Sequence, residues 1–408
     1  MLKIKIRKFK VHSLTGRITP ELIKKSWKAV KRNKGAAGVD RMSVESYGKN
    51  IERNLDNLTK RLKTKKEYTS PPLRRVYIEK GNTGKFRPLG IPTIDTRVAQ
   101  EVIRRLIDPI FEPQFHNDSF GFRAGRNCHQ AVERVLEYTK QGYKHVVDID
   151  IKGFFDNIPH DVILTMLRSE IADGNILDII ETFLRCGVDE EGVVKPTISG
   201  VPQGGVISPL IGNVVLNYLD WKLDAAGYKF ARYADDLVIL CKTHDQAKDA
   251  LILAKEILAD LGLECSPEKT KISSMSQGFQ FLGFDISSRA VKMRQKSREK
   301  FEEKIKELTT RSHNLDARVI EKLNQVIRGT VNYFHTGFSK AKEYFRLTDK
   351  WIRERIRWMK YKSIRRTHHL KLKNKHIARR GLIGCITACQ HAITRWYSRK
   401  GKQIGVAQ

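Results

Sequence analysis

The chain has 408 residues, of which 40% are apolar and 30% are charged. This length and apolar content allow several domains with sizeable cores and exclude an intrinsically disordered chain. Lysine and arginine total 77 against 45 acidic residues, a net charge of +32, which is typical of proteins that bind nucleic acid. No apolar run reaches about 18 residues, and the first ten residues lack the apolar core of a signal peptide, so we predict a cytoplasmic protein without a membrane partner.

The apolar periodicity predicts helices alternating with strands, followed by an almost wholly helical region. In the first part, helices are predicted over residues 20–32, 44–63, 96–110, 209–223 and 247–261, with another opening at residue 159. Strands are predicted over residues 74–79 and 146–151, then as two strands around a tight turn within 230–241, and as a short strand over 280–286. The last predicted helices cover residues 297–309, 316–334 and 340–365. This order indicates an α+β or α/β body with a helical appendage.

The basic charge is concentrated toward the C-terminal end. Residues 286–408 contain 32 lysines and arginines and 9 acidic residues, a net charge of +23, which leaves +9 for residues 1–285. This asymmetry predicts a catalytic body followed by a lobe that grips nucleic acid.

The six cysteines are scattered along the chain, and only Cys385 and Cys389 are close together. With His391 nearby, a zinc site is conceivable, but the second ligand pair typical of structural zinc sites is missing. We therefore interpret these cysteines as buried helical thiols.

Two adjacent carboxylates, Asp235 and Asp236, lie between apolar runs in the segment FARYADDLVIL, residues 230–240. In a β-hairpin they would lie at the tip, with both strands anchored in a core. Neighbouring carboxylates repel each other and resist burial without a compensating cation, so the pattern predicts a site for a hard cation. An acidic surface turn is the alternative that this motif alone leaves open.

A second acidic pair, Asp148 and Asp150, interrupts the apolar strand predicted over residues 146–151. Strand alternation puts both carboxylates on the face opposite the valine and isoleucine side chains. If this strand lies beside the Asp235 hairpin, its carboxylate completes a two-metal site, in which magnesium ions lie roughly 3.5–4 Å apart. Such a site activates a 3′-hydroxyl and holds a triphosphate, which is the chemistry of polymerases.

Eight ordered blocks around these carboxylates resemble the bacterial group II intron reverse transcriptases, also called intron-encoded maturases. The blocks are GAAGVD (35–40), KFRPLGIPT (85–93), SFGFRAGR (119–126), DIDIKGFFDNIPH (148–160), GVPQGGVISPL (200–210), YADD (233–236), EKTK (268–271) and FLGF (281–284). Two further segments, GTVNYF (329–334) and WIRERIRW (351–358), resemble the helical thumb of the family, its maturase-specific domain X. With them, the similarity covers residues 34–365.

The resemblance implies an α+β fold of the right-hand polymerase type, with fingers, palm and a helical basic thumb. Four regions are expected: 1–85 as the N-terminal extension and start of the fingers, 86–285 as the fingers and palm, 286–365 as the thumb, and 366–408 as a short basic nucleic-acid-binding tail. This tail carries neither paired Cys-x-x-Cys motifs nor an HNH pattern, so a compact form without the endonuclease is expected.

The resemblance also implies the site residues. Asp150, Asp235 and Asp236 would be catalytic and would hold two Mg²⁺ ions, whereas Asp148 does not match the catalytic position. The residues expected to bind the dNTP are Lys85, Arg87, Phe155, Gln203 and Tyr233, with Phe155 as a steric gate against a 2′-hydroxyl. The residues expected to contact primer or template are Lys269, Gly283, Arg353, Arg355 and Arg357.

Structural roles for several of these residues stay open at this point. Phe155 could be an ordinary core residue, and Lys269 a solvated loop residue. The block at 119–126 could be structural, with Arg123 pairing a carboxylate. The tryptophans of the 351–358 segment could be core residues, with its arginines forming a solvated face.

The expected function is RNA-directed DNA polymerisation, with an RNA template, a DNA primer or target, and dNTPs as partners. The template would be a group II intron, whose splicing the protein would assist. One alternative is a domesticated enzyme that copies a dedicated noncoding RNA, for example in phage defence. Others are an RNA-binding maturase without polymerase activity, an RNA-dependent RNA polymerase, which Phe155 disfavours, and a retron-type enzyme, which the N-terminal block and basic thumb disfavour.

Overall fold

A computed structural model describes residues 10–79, 84, 86–365 and 367–404. The chain divides into two compact units, Met1–Ser273 and Ser274–Gln408. The first unit mixes helices and sheets and the second is mostly helical, which confirms the predicted α+β fold of the right-hand polymerase type with a helical thumb. No helix within the described residues is long and apolar enough to cross a membrane.

The first unit is built from ten α-helices and eight strands within the described residues. Its helices are α1 Pro20–Arg32, α2 Val44–Lys49, α3 Ile51–Lys63, α4 Ile94–Phe111, α5 Cys128–Lys140, α6 Phe154–Asn157, α7 His160–Glu170, α8 Gly174–Arg185, α9 Ser208–Ala225 and α10 His244–Asp260. Its strands are β1 Leu73–Glu79, β2 Phe86–Ile91, β3 His145–Ile149, β4 Val188–Glu190, β5 Val193–Lys195, β6 Lys229–Tyr233, β7 Asp236–Cys241 and β8 Lys271–Ser274.

The single helix predicted over residues 44–63 is wrong, because the chain breaks into α2 and α3 at Asn50. The backbone of Asn50 leaves the helical region, with φ −115° and ψ 41°. The break is stabilised by Asn54, whose side-chain amide donates to the Tyr47 carbonyl at 2.9 Å and so satisfies a helix-end acceptor.

Two four-stranded sheets organise the first unit, in the orders β2-β1-β4-β5 and β6-β7-β3-β8. In the second sheet, β7 pairs antiparallel with both β6 and β3, with Ile149 opposite Leu237. The predicted hairpin is therefore confirmed, and β3 does lie beside it. The apolar faces of these strands belong to a core shared with α7, α9 and α10, which fixes the strands that carry the acidic residues.

The second unit contains six helices and three short strands in the part that the structure describes. They are β9 Phe279–Phe281, β10 Phe284–Ile286, β11 Val291–Met293, α11 Gln295–Leu308, α12 Ala317–Phe334, α13 Lys342–Tyr361, α14 His368–Lys371, α15 Asn374–Arg379 and α16 Cys385–Ile404. The three strands form one antiparallel sheet in the order β11-β10-β9.

Two predicted elements of the second unit differ from the structure. The strand predicted over residues 280–286 is the β9–β10 hairpin, because Leu282 and Gly283 both have positive φ, 48° and 83°, as a tight two-residue turn requires. The Tyr333 hydroxyl donates to the Leu282 carbonyl at 2.9 Å and holds this turn. The helix predicted to reach residue 365 ends at Tyr361, because Lys362 is left-handed with φ 54°.

Candidate active site

An open cleft of about 680 Å³ in the first unit gathers residues from six of the eight sequence blocks. Its lining includes Arg87, Phe122, Asp150, Phe155, Gln203, Tyr233, Asp235, Asp236 and Lys269. All the predicted catalytic aspartates and four of the five predicted dNTP-binding residues thus line one cavity. The fifth, Lys85, lies outside the described residues.

The hairpin tip presents Asp235 and Asp236 to this cleft. Tyr233 pairs with Asp236, and Ala234 between them is left-handed with φ 58°. Asp235 is half-buried, and its pKa is raised chiefly by that burial and further by the charge of Asp150. Arg87 and Arg232 act in the opposite direction. Asp235 and Asp150 therefore repel each other in a partly desolvated space, and a cation bound between them would reduce this repulsion.

Asp150 follows the last residue of β3, and its backbone carbonyl accepts from the Ser266 amide at 2.7 Å. The Lys269 ammonium donates to both of its carboxylate oxygens, at 3.0 and 3.2 Å. Lys269 remains 65% exposed at this ion pair, so the pair is weak. Asp148 is half-buried, with a pKa raised to about 6 chiefly by burial, and is not among the described residues that line the cleft.

The three aspartates offer the oxygen donors that a divalent metal ion takes. Among the described residues, no three His, Cys, Asp or Glu side chains are grouped closely enough to hold a metal ion by themselves. Magnesium is commonly bound through one or two carboxylates, with substrate phosphates and water completing its shell. Carboxylates at the ends of two neighbouring strands, one of them paired with an exposed lysine, match that requirement.

The opposite wall of the cleft is formed by the chain around Phe155 and by the loop before α9. The half-buried Phe155 ring packs edge-to-face on Phe154, with ring centres 5.0 Å apart. The Gln203 side-chain amide donates to the Asp156 carboxylate at 3.0 Å. Gly204 has φ +116°, a conformation that favours glycine, and this brings the loop backbone close to the cleft.

The loop before α9 is tied to the Phe155 segment by backbone hydrogen bonds. The Gly200 amide donates to the Ile158 carbonyl and the Val201 amide to the Phe155 carbonyl, each at 2.7 Å. The buried His160 ring lies 2.9 Å from the Gly200 carbonyl through Nε2, and burial lowers its pKa. These contacts couple the position of Gln203 to that of Phe155.

Sequence reasoning missed the group that holds the hairpin from behind. Arg232 is fully buried and pairs with the equally buried Asp220 of α9. Asn213 of α9 and the Gly121 backbone complete this group. A signal was present, since an arginine in an apolar strand and two polar residues in a mainly apolar helix each need a buried partner.

Arg123 of the 119–126 block does pair a carboxylate, as the structural alternative predicted. Its guanidinium lies 2.8 Å from the Glu112 carboxylate and also donates to the His116 and Ser119 carbonyls. This arginine therefore shapes the loop that pairs with β6 of the hairpin.

The remaining predicted nucleic-acid contacts lie in the second unit. Gly283 lies in the β9–β10 turn. Arg353 pairs with Asp349 at 2.9 Å, and Arg355 donates to the Thr309 hydroxyl at 2.8 Å, with its guanidinium 5.8 Å from the Trp351 ring centre.

Arg357 differs from these two arginines, because only 8% of it is exposed. Its guanidinium donates to the Leu372 carbonyl at 2.9 Å and to the Asn374 side chain at 2.6 Å. These hydrogen bonds join α13 to the first residue of α15 and to the segment just before it. The burial of this guanidinium disfavours the predicted phosphate contact.

Comparisons with known proteins agree with this geometry. Residues 78–286 match the family described as reverse transcriptase (RNA-dependent DNA polymerase), and residues 298–381 match the group II intron, maturase-specific domain. The chain is 33% identical to protein YkfC of Escherichia coli K12 over 258 residues, which cover 53% of this chain and 67% of that protein.

Two intron-encoded relatives extend the similarity. The group II intron-encoded protein LtrA of Lactococcus lactis is 30% identical over 342 residues, 67% of this chain and 56% of LtrA. An uncharacterized 91 kDa protein in the cob intron of Schizosaccharomyces pombe is 29% identical over 293 residues, 57% of this chain and 36% of its own length. The matched region thus spans about half of LtrA. A polymerase domain followed by a maturase-specific domain assigns this chain to the group II intron reverse transcriptase/maturase family.

Proposed function

We propose that the protein is an RNA-directed DNA polymerase that binds a group II intron RNA, copies it into cDNA and assists its splicing. The observation that carries the proposal is the convergence of Asp150, Asp235 and Asp236 with Phe155 and Gln203 on one cleft. A purely RNA-binding protein has no need for acidic residues in such a cavity, because they repel the RNA backbone.

The three aspartates would hold two Mg²⁺ ions, which supply charge stabilisation for the attacking and leaving oxygens of an in-line displacement. Lys269 would release Asp150 as the cations bind, and would then face the primer terminus. Its 65% exposure gives it room to do so.

The nucleotide would lie between the hairpin and the opposite wall. The Phe155 ring would occupy the space that a 2′-hydroxyl needs and so would select dNTPs. Gln203, held by Asp156, would support the base and sugar, while Arg87 and Lys85 would donate to the triphosphate. Tyr233, half-buried beside the Phe122 ring at 6.3 Å, would complete the floor under the incoming nucleotide.

The template would be a structured RNA and the primer a DNA strand, gripped by the basic second unit. Gly283 would approach the primer, and Arg353 and Arg355 on α13 would contact the phosphate backbone. We also propose a cytoplasmic location and the regions 1–85, 86–285, 286–365 and 366–408 as extension, fingers and palm, thumb, and tail.

The test is primer extension on an RNA template with a DNA primer, dNTPs and magnesium. The wild type is compared with an Asp235→Asn/Asp236→Asn double variant. Asp245→Asn is the control, since it removes a carboxylate that is 86% exposed on α10, away from the cleft. We expect extension by the wild type and the control only.

The alternative functions predict different results in this experiment. Tight RNA binding without extension on any template would refute the polymerase and indicate an RNA-binding maturase. Equal extension with NTPs would indicate an RNA polymerase. Sequencing the RNA that co-purifies from the native host then separates an intron template from a dedicated noncoding RNA.

A further inference from the structure

We propose that Arg232 is a positioning residue that sets the place of the Asp235 carboxylate by holding the hairpin turn from inside the protein. This inference rests on the proposed function, because it assigns Arg232 a part in the polymerase reaction. Arg232 does not line the cleft. It acts through the backbone of Ala234, the residue directly before Asp235.

All three nitrogens of the Arg232 guanidinium donate hydrogen bonds. Nε and Nη2 donate to the two Asp220 oxygens at 2.7 and 2.5 Å. Nη1 donates to the Asn213 side-chain oxygen and to the Ala234 carbonyl, both at 2.9 Å. One planar group thus joins helix α9 to the turn that carries Asp235. A lysine has a single nitrogen and cannot reproduce this geometry.

Stability alone is a poor explanation for this ion pair. Both side chains are fully buried, so their mutual attraction must first offset the cost of removing both charges from water. Apolar residues of similar volume are often as stable or more stable in such places. What a buried, fully hydrogen-bonded pair provides is one defined arrangement, here of the hairpin turn.

The β6–β7 turn has a strained backbone that requires stabilising contacts. Ala234 is left-handed, with φ 58°, a conformation that is sterically unfavourable for an alanine. Its carbonyl oxygen is the acceptor that Arg232 fixes. The strained conformation therefore persists because a buried donor lies where that carbonyl points.

The loop before α5 closes the turn from the other side. The Arg232 amide donates to the Asp118 carbonyl at 2.9 Å, and the Phe120 amide donates to the Arg232 carbonyl at 2.8 Å. Asn213 donates to the Gly121 carbonyl at 2.8 Å, which holds this loop to α9 as well. A Cβ at Gly121 would lie 2.3 Å from the Ala234 nitrogen, so the loop backbone touches the turn directly.

Asp235 is thus preorganised between a clamped turn on one side and strand β7 on the other. Loss of the clamp would let the turn relax and move the carboxylate. A displacement on the order of 1 Å at a reacting centre costs about 100-fold in rate.

The experiment compares the wild type with Arg232→Lys, and uses Arg97→Lys as the control. Arg97 is also a buried arginine of the first unit, 8% exposed, but it donates to the Pro92 carbonyl away from the hairpin. For each protein we measure kcat and KM for dTTP on poly(rA) with an oligo(dT) primer, the Kd for that primer–template, and amide hydrogen exchange of peptides spanning residues 230–240.

We expect Arg232→Lys to lower kcat about 10- to 100-fold, with KM and Kd within about threefold of the wild type and faster exchange in the hairpin. Arg97→Lys should match the wild type in kcat. A folded Arg232→Lys with wild-type kcat and wild-type hairpin exchange would overturn the proposal.

Two further outcomes remain decisive. If Arg232→Lys does not fold, Asn213→Ala removes one arm of the clamp, and a wild-type kcat and exchange for that variant would also refute the proposal. If the wild type polymerises on no template, the proposed function fails, while hairpin exchange in the variants still decides whether Arg232 holds the turn.

Discussion

Replacing Gly200 by alanine is expected to destabilise the protein and to weaken nucleotide binding in the cleft. The loss of folding free energy has two parts. The first part is conformational, because Gly200 has φ +85°, which an alanine adopts at a cost of about 1 kcal/mol. The second part is steric. A Cβ at this position would lie 2.6 Å from the Asp156 carbonyl oxygen and 2.8 Å from that of Phe155. Overpacking of this kind costs a further 1–3 kcal/mol, roughly.

Gly227 offers the matched control. It has nearly the same backbone conformation, φ +81°, but a Cβ there would meet no atom within 4 Å. Gly227→Ala therefore carries only the conformational cost. For a unit of this size, a loss of 1 kcal/mol lowers the melting temperature by about 2 °C. We expect a fall of about 2 °C for Gly227→Ala and about 4–8 °C for Gly200→Ala.

The assay combines thermal unfolding with steady-state extension kinetics. Because the displaced carbonyls belong to the segment that carries Phe155, Gly200→Ala should also raise KM for the dNTP by about tenfold, whereas Gly227→Ala should not. Equal melting temperatures for the two variants would mean that the loop packs loosely against Asp156. The coupling between the loop and Phe155 would then be refuted.

Three other predictions test single side chains. Phe155→Val should lower the preference for dCTP over CTP in kcat/KM by about 10- to 100-fold, and an unchanged preference would show that Phe155 is not the gate. Burial lowers the pKa of His160 from the usual 6.5, so the folded protein resists its protonation and stability is lost as pH falls below that value. Between about pH 7.5 and 5.5 the wild type should thus lose more melting temperature than His160→Gln, and equal losses would contradict this reasoning. Arg357→Met should destabilise the protein by about 1–3 kcal/mol, because the Leu372 carbonyl loses its donor, while the salt dependence of RNA binding is retained. A stable Arg357→Met with a weakened salt dependence would instead make Arg357 a phosphate contact.

The strand arrangement around the acidic residues of the first unit was predictable from the sequence. Two periodic strands with acidic residues at defined positions predicted the hairpin of Asp235 and Asp236 and the neighbouring strand of Asp150, and the pairing of β3 with β7 confirmed both. This worked because strand alternation and turn preference are local properties, readable over a few residues. The same local signals failed where one residue decides an element, as at Asn50 and at the Leu282–Gly283 turn.

The partner of each buried polar group, in contrast, depends on the packing of distant segments. Nothing in the spacing of the chain pairs Arg232 with Asp220 and Asn213, or Lys269 with Asp150. Likewise, the pattern of α13 does not tell the buried Arg357 from the more exposed Arg353 and Arg355. The physical reason is that a polar side chain in an apolar segment must be paired when it is buried, and this need can be predicted from the sequence. The identity of its partner depends on which distant segments pack against it.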